Sequence, residues 1–126
     1  MIKVKMIEIL NVIQVLNKLC NNNSFNISIQ FKFKLALLKE ILIKYHNVYI
    51  EEFQKLINKY EIKIKDNQYI NADKAKLNEF IKFNNELEQM ELEIECKKIV
   101  YDKTINDISA NELLILKPFF DYSELE

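Results

Sequence analysis

Residues 27–60 read ISIQFKFKLALLKEILIKYHNVYIEEFQKLINKY, and the spacing of their apolar side chains decides the architecture. Phe31, Leu35, Leu38, Leu42, Tyr45, Tyr49, Phe53, Leu56 and Tyr60 follow one another at steps of four and three. Ile41 and Val48 widen that stripe, while Lys32, Lys39, Lys44, Glu51, Glu52 and Lys59 fall off it. This is the period of an α-helix with one oily face, and sustained from 27 to 60 it predicts a rod ~51 Å long. A single domain of 126 residues has a diameter of roughly 35 Å. The rod is therefore expected to be bent, flanked along its length by the rest of the chain, or shared with another copy.

The composition fits one soluble globular domain over residues 1–126, with 49% hydrophobic and 29% charged residues. Gly and Arg are both missing, and Ile, Lys and Asn fill 52 of the 126 positions, a bias that A/T-rich coding accounts for. Without Arg there is no fork-shaped group for bidentate recognition of phosphate or guanine. With a net charge of −1, this argues against nucleic acid as the partner. The charge is uneven: residues 1–65 carry 11 lysines against 5 acids, and residues 66–126 carry 7 against 14. Either the two halves fold onto each other, or copies associate head to tail; the first avoids the entropic cost of association.

Working outward toward the start, Ile2, Val4 and Met6 alternate with Lys3 and Lys5 as a half-buried strand. Ile9, Leu10, Ile13, Leu16 and Leu19 then mark a helix that ends at the Asn21–Ser24 cluster. Phe25 to Phe33 is ambiguous, because Phe25, Ile27, Ile29, Phe31 and Phe33 also alternate as a strand would. The expectation is helix from about Ile27, capped by Ser24 or Asn26.

Toward the end of the chain, residues 61–65 and 68–70 alternate around Asp66-Asn67, which predicts a small hairpin. Asn71 or Asp73 caps a second helix whose face carries Leu77, Phe80, Ile81, Asn84, Leu87 and Met90; Asn84 is expected at its rim. A short connection sets this helix antiparallel to the first rod. At Glu91-Leu92-Glu93-Ile94-Glu95-Cys96 the period changes to two, which makes this stretch the natural partner of the first strand, with lysines facing glutamates. Ile99, Val100 and Tyr101 either extend it or begin the next connection. Ser109-Ala110-Asn111-Glu112 is a capping box for a short helix that Pro118 stops. The fold class expected is α+β, mostly α: a long helical hairpin with a small antiparallel sheet and a short C-terminal helix.

Taken together, these segments resemble a family of short phage and prophage proteins of unknown function from low-GC Gram-positive bacteria. The matching stretches are Gln54–Glu61 at the end of the long helix, Asn78–Leu87 running into the acidic strand Glu91–Glu95, and Ser109–Leu114 closing on Pro118-Phe119. The resemblance implies a phage origin and a helical hairpin with a small sheet; it implies no catalytic residues.

The search for chemistry yields little. His46 is the only histidine and has no Cys or carboxylate three or four residues away, which excludes a helical metal pair. Cys20 and Cys96 read as reduced thiols of a cytoplasmic protein in the host cell. No apolar run is long enough to span a bilayer, and no Gly-rich loop exists to cradle phosphate. No cofactor, metal or catalytic residue is assigned. The expected function is that of a non-enzymatic phage accessory protein binding a host or phage protein, such as a defence factor, through Tyr45, Tyr49, Phe119, Phe120 and Tyr122. Three aromatics so close together usually dock onto their own core, and for Phe119, Phe120 and Tyr122 the partner-binding knob is the alternative to that reading. Alternatives are a sponge for a small anionic, nucleotide-like signal, held by Lys32, Lys34, Lys63 and Lys65 with tyrosines between protomers of a homo-oligomer, and a virion-assembly chaperone.

Overall fold

The computed structural model describes residues 1–21, 27–103, 105 and 108–125. In order these form β1 (Ile2–Lys5), α1 (Met6–Asn21), α2 (Ile29–Lys59), β2 (Lys63–Lys65), β3 (Gln68–Ile70), α3 (Lys74–Glu88), β4 (Glu91–Ile94), β5 (Ile99–Val100), α4 (Ala110–Leu116) and β6 (Phe120–Asp121). Short 3-10 turns occupy Lys117–Phe119 and Ser123–Leu125. The fold is α+β and mostly α, with a long-helix hairpin, small antiparallel pairs and a short C-terminal helix.

The rod begins two residues later than the spacing predicts. Ser28 is extended (φ −63°, ψ 150°) and its Oγ accepts the Phe31 N–H at 3.2 Å, which satisfies one of the free donors at a helix start. The predicted caps Ser24 and Asn26, with Phe25 and the Asn22–Ser24 loop, lie outside the described residues. From Ile29 onward the helix period wins over the strand alternation, and the losers show it: Ile29 and Phe33 are left 86% and 63% exposed on the outer side.

Two clusters cover the inner stripe. Phe31, Leu35, Leu38 and Leu42 are buried against α1 (Ile9, Val12, Leu16, Leu19), β1, β4 and the C-terminal segment. Tyr60 and Ile62 are buried with Phe80 of α3, and Phe53, Leu56, Ile57, Leu77 and Phe83 pack around them. Between the clusters Tyr45 and Tyr49 are half-buried. A 31-residue helix of ~46 Å is thus flanked in relay, by α1 on its first half and by α3 on its second.

β1 and β4 pair as their alternation predicts, Ile2↔Ile94, Lys3↔Glu93, Val4↔Leu92 and Lys5↔Glu91. The ion pair is diagonal, Lys3 Nζ to Glu91 Oε2 at 3.3 Å and well exposed, so the buried apolar face sets the register. Met6 opens α1 instead of extending the strand, and its N–H donates to Met90 O at 2.9 Å. The strand ends at Ile94, and Ile99–Val100 does not extend it. It pairs in parallel with β6, Ile99↔Phe120 and Val100↔Asp121, a bridge too short to leave a periodic signal.

Asp66 and Asn67 form the β2–β3 turn with φ of 52° and 61°. Both central residues are left-handed, the geometry that matches strand twist, and Asp and Asn are the non-glycine residues that tolerate it best. Glu61, at φ 52°, ends α2 in the same way, while Asn71 Nδ2 donates to the Tyr60 and Glu61 carbonyls. Asp73 caps α3. Ser109 and Glu112 form the predicted capping box, and both Glu112 oxygens also accept from Lys18 Nζ at 3.1 and 2.9 Å, tying α4 to α1. Those hydrogen bonds, Lys18 first and Ser109 next, hold the Glu112 carboxyl below its usual range. The Lys3–Glu91 and Lys18–Glu112 pairs both join the basic half of the chain to the acidic half.

Truncating a fully buried stripe residue leaves a cavity, so Leu42→Ala is expected to cost about 2–5 kcal/mol in urea unfolding. Leu114→Ala, at a position 67% exposed, should stay within about 0.5 kcal/mol. At the turn, Asn67→Val should lower stability by about 1–2 kcal/mol while Asn67→Gly lowers it not at all.

Candidate functional site

Because α1 and α3 flank different halves of α2, the stripe is only half-buried where they hand over. There a trough of about 490 Å³ opens. Tyr45, Val48 and Tyr49 of α2 form one wall. Leu87 of α3, Met90 of the α3–β4 connection, Leu92 of β4 and Met6 at the start of α1 form the other. Lys44 and Glu52 stand at its edges. A second depression of about 290 Å³ continues past Glu52, Leu87 and Met90 to Leu56, Phe83, Glu86 and Lys59. Val48 is 59% and Met90 49% exposed, an uncommon placement for large apolar side chains converging from separate elements.

A part-buried hydrogen-bond chain underlies this handover. Tyr49 Oη donates to Asn84 Oδ1 at 3.1 Å, and Asn84 Nδ2 donates to Glu88 Oε1 at 3.3 Å. Asn84 is only 5% exposed, which corrects the rim position expected for it: a polar residue on the apolar face of α3 is held inside because Tyr49 supplies its partner. Burial, then the Glu88 carboxylate and Tyr69, push the Tyr49 phenol up to about 12. Tyr49 is therefore a neutral donor at ordinary pH. Its ring stacks on Phe53 at 5.9 Å, and Phe53 in turn touches Phe80 and Tyr69.

Of the residues the sequence proposes for partner binding, Tyr45 and Tyr49 line this trough. The C-terminal aromatics do not reach it. Phe119 and Phe120 are 0% and 2% exposed, with Phe120 and Tyr101 packed around Phe31. Tyr122 is half-buried, stacked on Phe120, and donates its Oη to Leu113 O at 2.6 Å. As a partner-binding knob these three are corrected: they close the protein's own core, where burying their apolar area is worth more than displaying it.

The four lysines expected to hold an anion are not brought together. Lys32 and Lys34 lie two residues apart near the start of α2 and so point to different sides. Lys63 and Lys65 share a face of the exposed hairpin beyond its far end. His46 borders a separate depression with Lys39, Gln14 and Asn17. Among the described residues no group of His, Cys, Asp and Glu is placed to hold a metal ion, and no helix is long and apolar enough to cross a membrane. Cys20 and Cys96 are half-buried free thiols, and burial pushes the Cys96 thiol up.

Sequence spacing alone missed Met6, Leu87, Met90 and Leu92 as one surface. Leu87 and Met90 were visible as apolar positions of α3, but their convergence with β4 and α1 depends on the tight turn at Gln89, whose Oε1 accepts from Lys5 Nζ at 3.0 Å. No protein-family model matches the chain, and neither a curated protein nor a solved structure is significantly similar to it.

Tyr49→Phe removes the donor to a buried amide oxygen and is expected to cost about 1–3 kcal/mol. Tyr49, Tyr101 and Tyr122 are each raised from 10.0 to about 12, chiefly by burial. The folded state thus keeps protons that the unfolded chain releases. Their stabilisation is intact below the unfolded value and is lost as pH rises from about 10 through about 12, seen as a falling urea midpoint across that window.

Proposed function

We propose that this protein acts by binding another protein, with the trough between α2, α3 and β4 receiving apolar side chains of the partner. The observation that supports this is the convergence of Tyr45, Val48, Leu87, Met90 and Leu92 on one open, largely apolar concavity. Its volume lies in the range of ligand-binding clefts, and aromatic and Met side chains are those enriched at interface centres. The polar groups at hand are two edge charges, the Tyr45 hydroxyl and the neutral Tyr49 phenol, which orient a partner without reacting with it.

The phage resemblance supplies the biological setting of the proposal: an accessory protein that engages a host or defence factor in the cell interior. The sponge reading is less well supported, since it needs converging cations and the trough offers Lys44 alone, joined by Lys59 in the neighbouring depression.

Met90→Asp places a carboxylate in the apolar wall at a half-exposed position that should not unfold the chain. In quantitative affinity capture from host-cell extract, specific partners should drop at least ~10-fold with Met90→Asp and stay unchanged with the distant control Leu114→Asp. Equal recovery by both variants, with folding verified by circular dichroism, would overturn the trough as the binding site.

A further inference from the structure

One flank of α2 carries a second three-four pattern that the fold leaves largely exposed. Lys34, Leu37, Ile41, Lys44, Val48 and Glu51 succeed one another at steps of 3, 4, 3, 4 and 3. Alternating steps of three and four are the spacing of a coiled-coil seam, and this one lies beside the stripe that makes the protein's own core. Leu37 is 46% and Val48 59% exposed; Lys34, Lys44 and Glu51 are exposed and Ile41 half-buried.

We infer that this seam is the contact surface for a second copy of the chain, with the two α2 helices packed antiparallel about a two-fold axis between Leu42 and Ile43. The charges choose both the partner and its direction. A parallel, in-register pair would set Lys34, Lys44 and Glu51 each against its own copy, three layers of like charge. Reversing one helix about that axis gives instead Lys34 against Glu51 of the second copy, Leu37 against Val48, and Ile41 against Lys44, each layer occurring twice. The first is an opposite-charge pair, the second is apolar, and the third lays a lysine stem along an isoleucine. A surface that satisfies itself under a two-fold operation is the signature of an isologous dimer.

The seam shares Lys44 and Val48 with the trough, whereas Lys34 and Glu51 line neither depression, so altering those two tests the dimer and leaves the trough intact. Sedimentation of the full chain at low salt should show a dimer forming as concentration rises. Lys34→Glu and Glu51→Lys should each weaken it about tenfold; the two changes combined should restore it to within about threefold of the unaltered protein, since the pair is then reversed intact. Leu114→Asp, at an exposed position of α4 away from the seam, should leave it unchanged. A chain that stays monomeric up to ~1 mM, the weak limit of specific affinity, overturns the inference. So does a dimer that neither reversal weakens, or one that the combined reversal fails to restore. All three altered side chains are exposed or half-exposed, so circular dichroism should confirm an intact fold in every arm.

Discussion

The fold depends on one mismatch of lengths: a 31-residue helix is longer than any single apolar cluster this chain can build around it. The consequence is a relay in place of a central core. α1 with the two-strand ladder hides the first half of the stripe, and α3 hides the second. At the junction of the two, Tyr45 and Tyr49 are only half-buried and line a trough. The polar chain from Tyr49 through Asn84 to Glu88 crosses the same junction. It fixes how α3 sits on α2 by a directional bond where apolar contact alone would permit sliding.

Much of this architecture is written in local patterns. The stripe on α2, the strict alternation of Ile2–Lys5 and Glu91–Ile94, the Asp66-Asn67 turn and the Ser109–Glu112 box each rest on residues within a few positions of one another, and each forms as its spacing predicts. What the patterns could not show are products of tertiary meeting. Asn84 looks like a misplaced polar residue until Tyr49 arrives from another helix. β5 and β6 are two residues each and acquire strand geometry only from one another. Phe119 and Phe120 are equally apolar whether displayed or buried, and the parallel bridge that folds them back onto Phe31 and Tyr101 leaves no trace in their own sequence.

The site was legible by half for the same reason. Tyr45 and Tyr49 stand on a helix face that periodicity identifies, whereas the opposing wall is assembled from three other elements through the turn at Gln89. The lysine pairs show the converse. Closeness in sequence suggested an anion site, yet a helix turns Lys32 away from Lys34, and the length of α2 separates both from Lys63 and Lys65.

The two apolar clusters also differ in how far apart along the chain their members lie. Tyr60, Ile62 and Phe80 are all present once residue 80 has emerged from a ribosome. The other cluster joins Ile2 and Val4 to Leu116, Phe119 and Phe120, so it cannot close until residue 120 has been made. α1 is at hand to cover the first half of α2 as soon as both helices are made, but Phe31 gains Tyr101 and Phe120 only later, and contacts between such distant residues are slow to form. Closure of the wall around Phe31 therefore falls last, after all three helices of the relay have been made.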